Sequence, residues 1–274
     1  WTQTRIPYNK KAPANEPNFI IALSGQSNSQ GANSFYDASE PNDQPHARIF
    51  GFNSKMQGWE IANLNTESLG AMEHKALGCQ SLAFHFARRL VEAYPDIRPG
   101  IINYGIGGQP ISRWVSTENG DIFETHKNLI NNACSKLVHN AVDVILWHQG
   151  ESDGWDESKA EYYRNSLDAV MSQYRSLPQC HSRTPFIAGE TTGADVGINQ
   201  GWELRNTELR GLNIDGSPYT RCVKCQDLSN TYDEDGRTYW HAGIEYPDKI
   251  HFSAKAQRMM GTRYFREYRS IFEM

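Results

Sequence analysis

Short unbroken apolar runs alternate along this chain with longer segments whose apolar residues recur every three or four positions. The runs are FIIAL (19–23), RIFGF (48–52), GIINYG (100–105), VDVILWH (142–148) and PFIAGE (185–190). Runs this short, without polar alternation, fit strands covered on both faces, as in a parallel sheet between helix layers. Residues 79–94 set Leu82, Phe86 and Leu90 four apart, with Ala83, Ala87 and Val91 beside them, and Pro95 follows. That stripe predicts an amphipathic helix with a defined stop. Segments 123–141 and 157–177 behave similarly, the second stopped by Pro178, and 254–272 follows Ser253 as an N-cap. The order β-β-α-β-α-β-α-β-α predicts an α/β protein, a three-layer α/β/α sandwich on a mainly parallel five-stranded sheet. Residues 1–18, polar and punctuated by Pro and Asn, read as an extended lead-in to a single domain over 19–274. Two stretches, 30–75 and 191–245, lack clear periodicity, and insertions near strand ends tend to shape a binding cleft.

Composition narrows the classes of partner. The chain has 274 residues, 38% of them hydrophobic and 22% charged, enough for a sizeable core. Net charge is −5 and no dense Lys/Arg cluster occurs, which argues against nucleic acid or an anionic membrane surface as partner. The longest aliphatic run is too short to span a bilayer. The sequence begins at Trp1 without a charged-then-apolar leader, which suggests a signal peptide already removed and an extracellular or periplasmic protein. Five cysteines leave at least one thiol unpaired within the chain. Cys222 and Cys225 form a lone C-x-x-C, read as a disulfide or plain thiol pair rather than half a zinc site, because no second ligand pair stands at matching spacing.

Ligands of an open parallel sheet bind outside the carboxyl ends of its strands, so the residues that follow each strand carry the chemistry. After the first strand comes SGQSNSQG (24–31) with Ser27; after the third, GIGGQPISRW (105–114) with Gly107 and Gly108. After the fourth comes HQGESD (148–153) with Gln149 and Glu151, and before the last helix DKIHFS (248–253) with Asp248 and His251. Taken singly each has a plain reading: a turn serine, a permissive glycine pair, a buried amide, one histidine among nine. Together they supply what acyl transfer needs. A serine hydroxyl requires a neighbouring base, a histidine suits that task, and a carboxylate on its far nitrogen fixes the tautomer. Asp248 and His251 are three apart, so one turn can join them. The backbone N–H of Ser27, a glycine N–H after the third strand and the Gln149 amide could receive the oxyanion. Glu151 is the rival to Asp248, or else a brace for the GQSN turn.

The four blocks, GQSN, GIGGxxIxxW, WHQGESD and DxxHFS, in this order over residues 19 to about 265, resemble the SGNH-hydrolase superfamily. They are similar in particular to its carbohydrate-esterase branch of sialate O-acetylesterases and acetylxylan esterases, carbohydrate esterase family 6. The resemblance implies a flavodoxin-like fold, neither metal nor other cofactor, and removal of acetyl groups from O-acetylated carbohydrate. It implies Ser27 as nucleophile, His251 and Asp248 as its acid-base pair, and Ser27, Gly107 and Gln149 as oxyanion donors. Two positions depart from the wider superfamily: Gln26 stands where it has aspartate, and Gln149 where it has asparagine.

Among the tryptophans, Trp147 reads as core, while Trp114, Trp155, Trp202 and Trp240 fall in or near loops. Trp114 and Trp155 are the candidates for stacking on a sugar. An acidic sugar such as sialic acid would call for an arginine, with Arg113 or Arg205 available. A non-catalytic carbohydrate-binding protein on the same fold is the alternative from another class. A lipase or thioesterase would want an apolar channel, which loops rich in Asn, Asp, Gly and Trp do not suggest.

Overall fold

A computed structural model describes residues 11–69, 78–116, 118, 121–155, 157–192, 201–214, 216–241 and 243–272; of the expected lead-in, residues 1–10 lie outside these. The strands are β1 (Phe19–Gly25), β2 (Phe50–Asn53), β3 (Gly58–Ile61), β4 (Pro99–Gly105), β5 (Val144–His148), β6 (Phe186–Gly189), β7 (Thr220–Val223), β8 (Thr238–His241) and β9 (Ile244–Pro247). The helices are α1 (Leu82–Ala93), α2 (Ser112–Val115), α3 (Ile122–Ser135), α4 (Glu157–Glu161), α5 (Tyr163–Arg175), α6 (Gly201–Gly211), α7 (Thr231–Asp235) and α8 (Ala254–Phe272).

The unbroken apolar run of β1 has a direct cause. Phe19, Ile21 and Leu23 pack with Leu82, Phe86 and Leu90 of α1 and with Met260, Tyr264 and Tyr268 of α8. Ile20 and Ala22 face the other way, against Ile130 and Ala133 of α3 and Leu167, Val170 and Tyr174 of α5. Both faces of the strand are therefore dry, and polar alternation would bury unpaired groups. Edge-on contacts of Phe86 with Phe265 (6.0 Å) and Tyr268 (5.6 Å) lock α1 to α8.

The sheet has seven strands in the order β3-β2-β4-β1-β5-β6-β7, all parallel except β3, which pairs antiparallel with β2. This corrects the expected five. The additional strands, β3 and β7, are four residues each and sit in the two stretches without periodicity. A four-residue strand is too short to display a period, and β3 is a partly exposed edge. With the β2–β3 hairpin set aside, β4-β1-β5-β6-β7 is the flavodoxin-like order, whose switch point lies between β1 and β5. A second, antiparallel hairpin of β8 and β9 leads directly into Asp248.

Other boundaries shift for local reasons. The helix expected over 157–177 is divided at Tyr162, and that over 123–141 ends at Ser135. Helix α6 falls in the aperiodic stretch 191–245 and escaped the pattern. Ser253 does cap α8, its Oγ accepting from Ala256 N at 3.1 Å. All five cysteines are free thiols, so the disulfide reading of Cys222 and Cys225 is not realised; burial pushes both thiols up in pKa. Among the described residues no group of side chains suits a metal ion, and no helix is long and apolar enough to cross a membrane.

The junction of β1 and β5 tolerates no side chain at Gly25. Its φ is +145°, and a Cβ there would lie 1.9 Å from the carbonyl oxygen of His148. Gly25→Ala is expected to cost about 2 kcal/mol or more, read as a lower denaturant midpoint. An unchanged midpoint would mean that the junction can shift.

Candidate active site

The chain leaves β1 in a series of tight turns. Gln26 N donates to His148 O (3.0 Å), and Ala32 N and Gln30 N donate back to Ser27 O at 3.0 and 3.1 Å. Ser27 sits partly exposed on this turn while Gln26, Asn28, Ser29 and Gln30 around it are buried. The loop after β4 is drawn against it. Ile106 N donates to Gly25 O at 3.2 Å, and Gln30 Nε2 donates to Gly105 O. A Cβ on Gly107 would lie 3.6 Å from that of Ser27, whereas one on Gly108 (φ +71°) would meet nothing within 4 Å. Gly107 is thus the glycine beside the serine, and Gly108 supplies the left-handed turn. The backbone N–H groups of Ser27 and Gly107 have no acceptor among the described residues.

The second half of the site lies before α8. Both oxygens of Asp248 face His251 Nδ1, at 2.8 Å for Oδ2 and 3.0 Å for Oδ1. Asp248 Oδ1 also accepts from His251 N (3.1 Å), and Asn33 Nδ2 donates to Oδ2. Asp248 is fully buried. Burial opposes its charge, but the hydrogen bonds and charge of His251, with Asn33, outweigh it and hold the carboxyl below its ordinary 3.8. A buried carboxylate at Nδ1 sets the tautomer that leaves Nε2 able to accept a proton.

Asn28 joins the two halves. Its Oδ1 accepts from Phe252 N at 3.0 Å and its Nδ2 donates to Ile250 O at 3.0 Å, so the residues flanking His251 are both tied to the residue after Ser27. Gln257 Nε2 of α8 donates to Asn28 O at 2.9 Å. Ser27 Oγ and the His251 ring are not themselves hydrogen-bonded. Glu151 takes the other Asn28 N–H at 2.6 Å and touches His148 Nε2 at 3.7 Å, not His251. Of the two carboxylates, Asp248 meets the imidazole and Glu151 braces the GQSN turn. Burial lowers the pKa of His148 to about 4, so this ring is neutral at physiological pH.

Gln149 does not stand open as an oxyanion donor. It is fully buried, and its Nε2 lies 2.6 Å from Asp153 Oδ2, 3.1 Å from Gln109 O and 3.1 Å from Gln26 Oε1. Two N–H groups among three protein acceptors leave none for a substrate. Tyr163 OH fills the other end, donating to Gln149 Oε1 at 3.0 Å or to its backbone O at 2.7 Å. Asp153 carries the tie onward by accepting from Ile111 N at 3.0 Å. Gln149 thus links the loops after β1, β4 and β5. Its length explains the departure from asparagine, since the shorter amide would not reach as far.

Two further expectations are corrected. Trp114 is fully buried, edge-on to Trp147 at 5.1 Å, and cannot meet a sugar; α2 turns it into the core. Arg205 is likewise fully buried, spent on Gly150 O (2.7 Å) and Thr191 Oγ1, and cannot face a substrate carboxylate. Trp155 stays at the surface, 42% exposed, edge-on to Trp202. Arg113 is also accessible, its side chain 45% exposed beside the Gly107 loop, where it pairs with Asp121 (2.6 Å) and Gln109 Oε1 (3.0 Å). Asn33 and Asp153 were not singled out from the sequence. The visible signal for Asn33 was an asparagine two residues after Gly31, a residue suited to the left-handed φ of 60° it adopts.

Among curated proteins none matches the chain. A protein from Arabidopsis thaliana shares the fold with a TM-score of 0.71 at 20% identity, covering 94% of this chain and 100% of its own. NanS is similar with a TM-score of 0.63 at 15% identity, over 91% of this chain and 96% of its own. A carbohydrate acetylesterase from Xanthomonas citri is similar with a TM-score of 0.61 at 17% identity, over 93% of this chain, which spans 57% of that protein. Identities this low speak for the fold alone. The family described as carbohydrate esterase, sialic acid-specific acetylesterase matches residues 17–270. The chain therefore belongs to the sialic acid-specific acetylesterase family of carbohydrate esterases and is a carboxylic ester hydrolase.

Proposed function

We propose that this esterase removes O-acetyl groups from carbohydrate by a serine mechanism, as a single catalytic unit over residues 19–274. The observation that carries the reading is the Asn28 clamp, which sets the Asp248–His251 pair against the turn that presents Ser27. Ser27 Oγ attacks the acetyl carbonyl carbon and passes its proton to His251 Nε2. The resulting oxyanion meets the free N–H groups of Ser27 and Gly107. The bond to the sugar oxygen breaks, and His251 returns the proton to that oxygen. Water then attacks the acetyl-enzyme with His251 again as base, releasing acetate and restoring Ser27. The Ser27–His251 hydrogen bond forms in the substrate complex, where such bonds tighten. Trp155 and Arg113, both accessible on the segments that follow β5 and β4, serve as sugar contacts in this reading, and a substrate of this class would place the enzyme outside the cytoplasm.

Three outcomes test the reading. Wild-type protein should release a burst of p-nitrophenol from p-nitrophenyl acetate, and Ser27→Ala should abolish both burst and turnover. Retained activity in that variant would end the serine mechanism and leave a binding protein or another nucleophile.

Asp248→Asn should lower kcat about 10⁴-fold by presenting the wrong tautomer. Its effect on stability has a defined sign. The folded-state pKa lies below 3.8, so the anion contributes stability fully above the unfolded value. That contribution is lost as pH falls through the lowered folded value. The stability gap between wild type and Asp248→Asn should hold from neutral pH down to about 4 and narrow below it. A gap that widened in acid would contradict a carboxylate held as its anion.

Arg113 distinguishes acidic from neutral sugars. If the substrate is an O-acetyl sialic acid, Arg113→Ala should raise KM for it about tenfold, the weight of one charged contact. KM for acetylated xylan should not move. Equal effects on both would place Arg113 outside substrate recognition.

A further inference from the structure

We propose that the stacked side chains of Tyr239 and Tyr246 form a sugar subsite beside the acid-base pair, and that the substrate is an O-acetylated oligosaccharide chain with a neighbouring unit resting there. The inference rests on the Ser27 reaction proposed above and narrows its substrate class. The β8–β9 hairpin stands outside the main sheet, and most of it is exposed. A two-stranded ribbon is marginally stable on its own, so its position is set at its base. There Asp248 N donates to Arg237 O at 2.9 Å, and Asn33 Nδ2 donates to both Thr238 O (3.4 Å) and Asp248 Oδ2. The Arg237 guanidinium lies over the Phe35 ring, 4.2 Å from its centre. The carboxylate that meets His251 and the root of the hairpin are thus held by one asparagine amide.

The register of the ribbon decides which side chains share a face. Tyr239 is paired with Tyr246 and Trp240 with Glu245, and the bond from Asp248 N to Arg237 O carries the same pairing further. Side chains alternate across a strand, so Tyr246 and Asp248 stand on one face, about 7 Å apart along the ribbon. Tyr239 lies across from Tyr246 on that face, and Trp240 is on the other. Burial raises the pKa of the Tyr239 phenol, and the nearby Asp248 carboxylate adds to the rise. The chemistry of the pair suits a sugar. Its rings stack at 5.7 Å with 27° between their planes, and Tyr246 is 37% exposed. Neither phenolic hydroxyl has a hydrogen-bond partner among the described residues. An aromatic face takes the C–H side of a pyranose ring, while a free phenol takes its hydroxyls. An acyl chain would leave both phenols unmatched, and a lone acetylated monosaccharide at Ser27 would leave the pair empty. Continuity with Asp248 makes the occupant a unit of the same glycan chain as the sugar that loses its acetyl group.

Two matched substrate pairs test this. One is acetylated xylose with acetylated xylotriose; the other is O-acetyl N-acetylneuraminic acid, free and at the end of a trisaccharide. The readout is the chain preference, kcat/KM for the trisaccharide over that for the monosaccharide, which cancels any general loss at the catalytic centre. Wild type should prefer the trisaccharide in at least one pair. Tyr246→Ala should lower that preference about tenfold, mainly through KM, the weight of a strong aromatic contact. Tyr246→Ile removes the ring but keeps a strand-forming side chain, and it supplies the readout if the alanine variant does not fold. Trp240→Ala, on the opposite face, should keep the preference. The proposal is overturned if wild type shows no preference in either pair, or if Trp240→Ala lowers it as much as the Tyr246 variants do. It is also overturned if a folded Tyr246 variant stays within about twofold of wild type, less than a stacking contact supplies. A loss that comes with a changed oligomeric state on size-exclusion overturns it too, because the face would then bind a second copy of the chain. A wild-type protein without a Ser27-dependent burst on p-nitrophenyl acetate overturns the serine mechanism itself, a distinct outcome.

Discussion

The side chain of Asn28 spans a gap that secondary structure does not close, between the turn after β1 and the loop before α8. Its partners Ile250 and Phe252 are 222 and 224 residues away in the chain, and no strand or helix joins the turn after β1 to the loop before α8. One carboxamide makes three hydrogen bonds there, to a carbonyl, an N–H and the carboxylate of Glu151. Those to Phe252 N and Glu151 are buried, where an unmade bond costs about 1–3 kcal/mol. Sliding the loop by one residue would leave several polar groups unpaired at once. The register of His251 against Ser27 is therefore enforced by these hydrogen bonds together with the packing of buried Phe252 in the core.

Around that clamp lies a buried polar layer in which few groups act alone. Tyr163 holds Gln149, Gln149 holds Asp153 and Gln26, and Asp153 holds the backbone at Ile111. Arg205 supports the same loop through Gly150 O. Gly150 and Gly154 leave the room this needs, since a Cβ on either would strike the Arg205 side chain at 2.3 or 2.1 Å. Such networks rigidify a site when every member is satisfied and destabilise it when one is missing. Rigidity of this kind lets N–H groups stand ready for a charge that exists only briefly, without reorganising to meet it.

The sheet supplies the frame for both. Strand β1 lies between β4 and β5, so the loops leaving these three strands open at the same end and diverge at the switch point. The β2–β3 hairpin and β7 extend the sheet away from this point and leave its geometry untouched. That is why an expectation of five strands could misjudge the width of the sheet and still point to the edge where the loops after β1, β4 and β5 meet.

Much of this was legible in the residues. The runs FIIAL and VILW (144–147) had to be buried strands because nothing in them seeks water, and Leu82, Phe86 and Leu90 had to line one side of a helix. Asp248 and His251 are three apart, so local geometry alone could pair them. Long-range matters were open: whether Trp114 faces solvent or core, whether Arg205 meets a ligand or a carbonyl, and which acceptors take the Gln149 amide. A side chain's type states which bonds it is able to make, whereas the fold decides which partner arrives first. For buried polar residues in particular, the choice among chemically equivalent partners lies with the packing of distant elements.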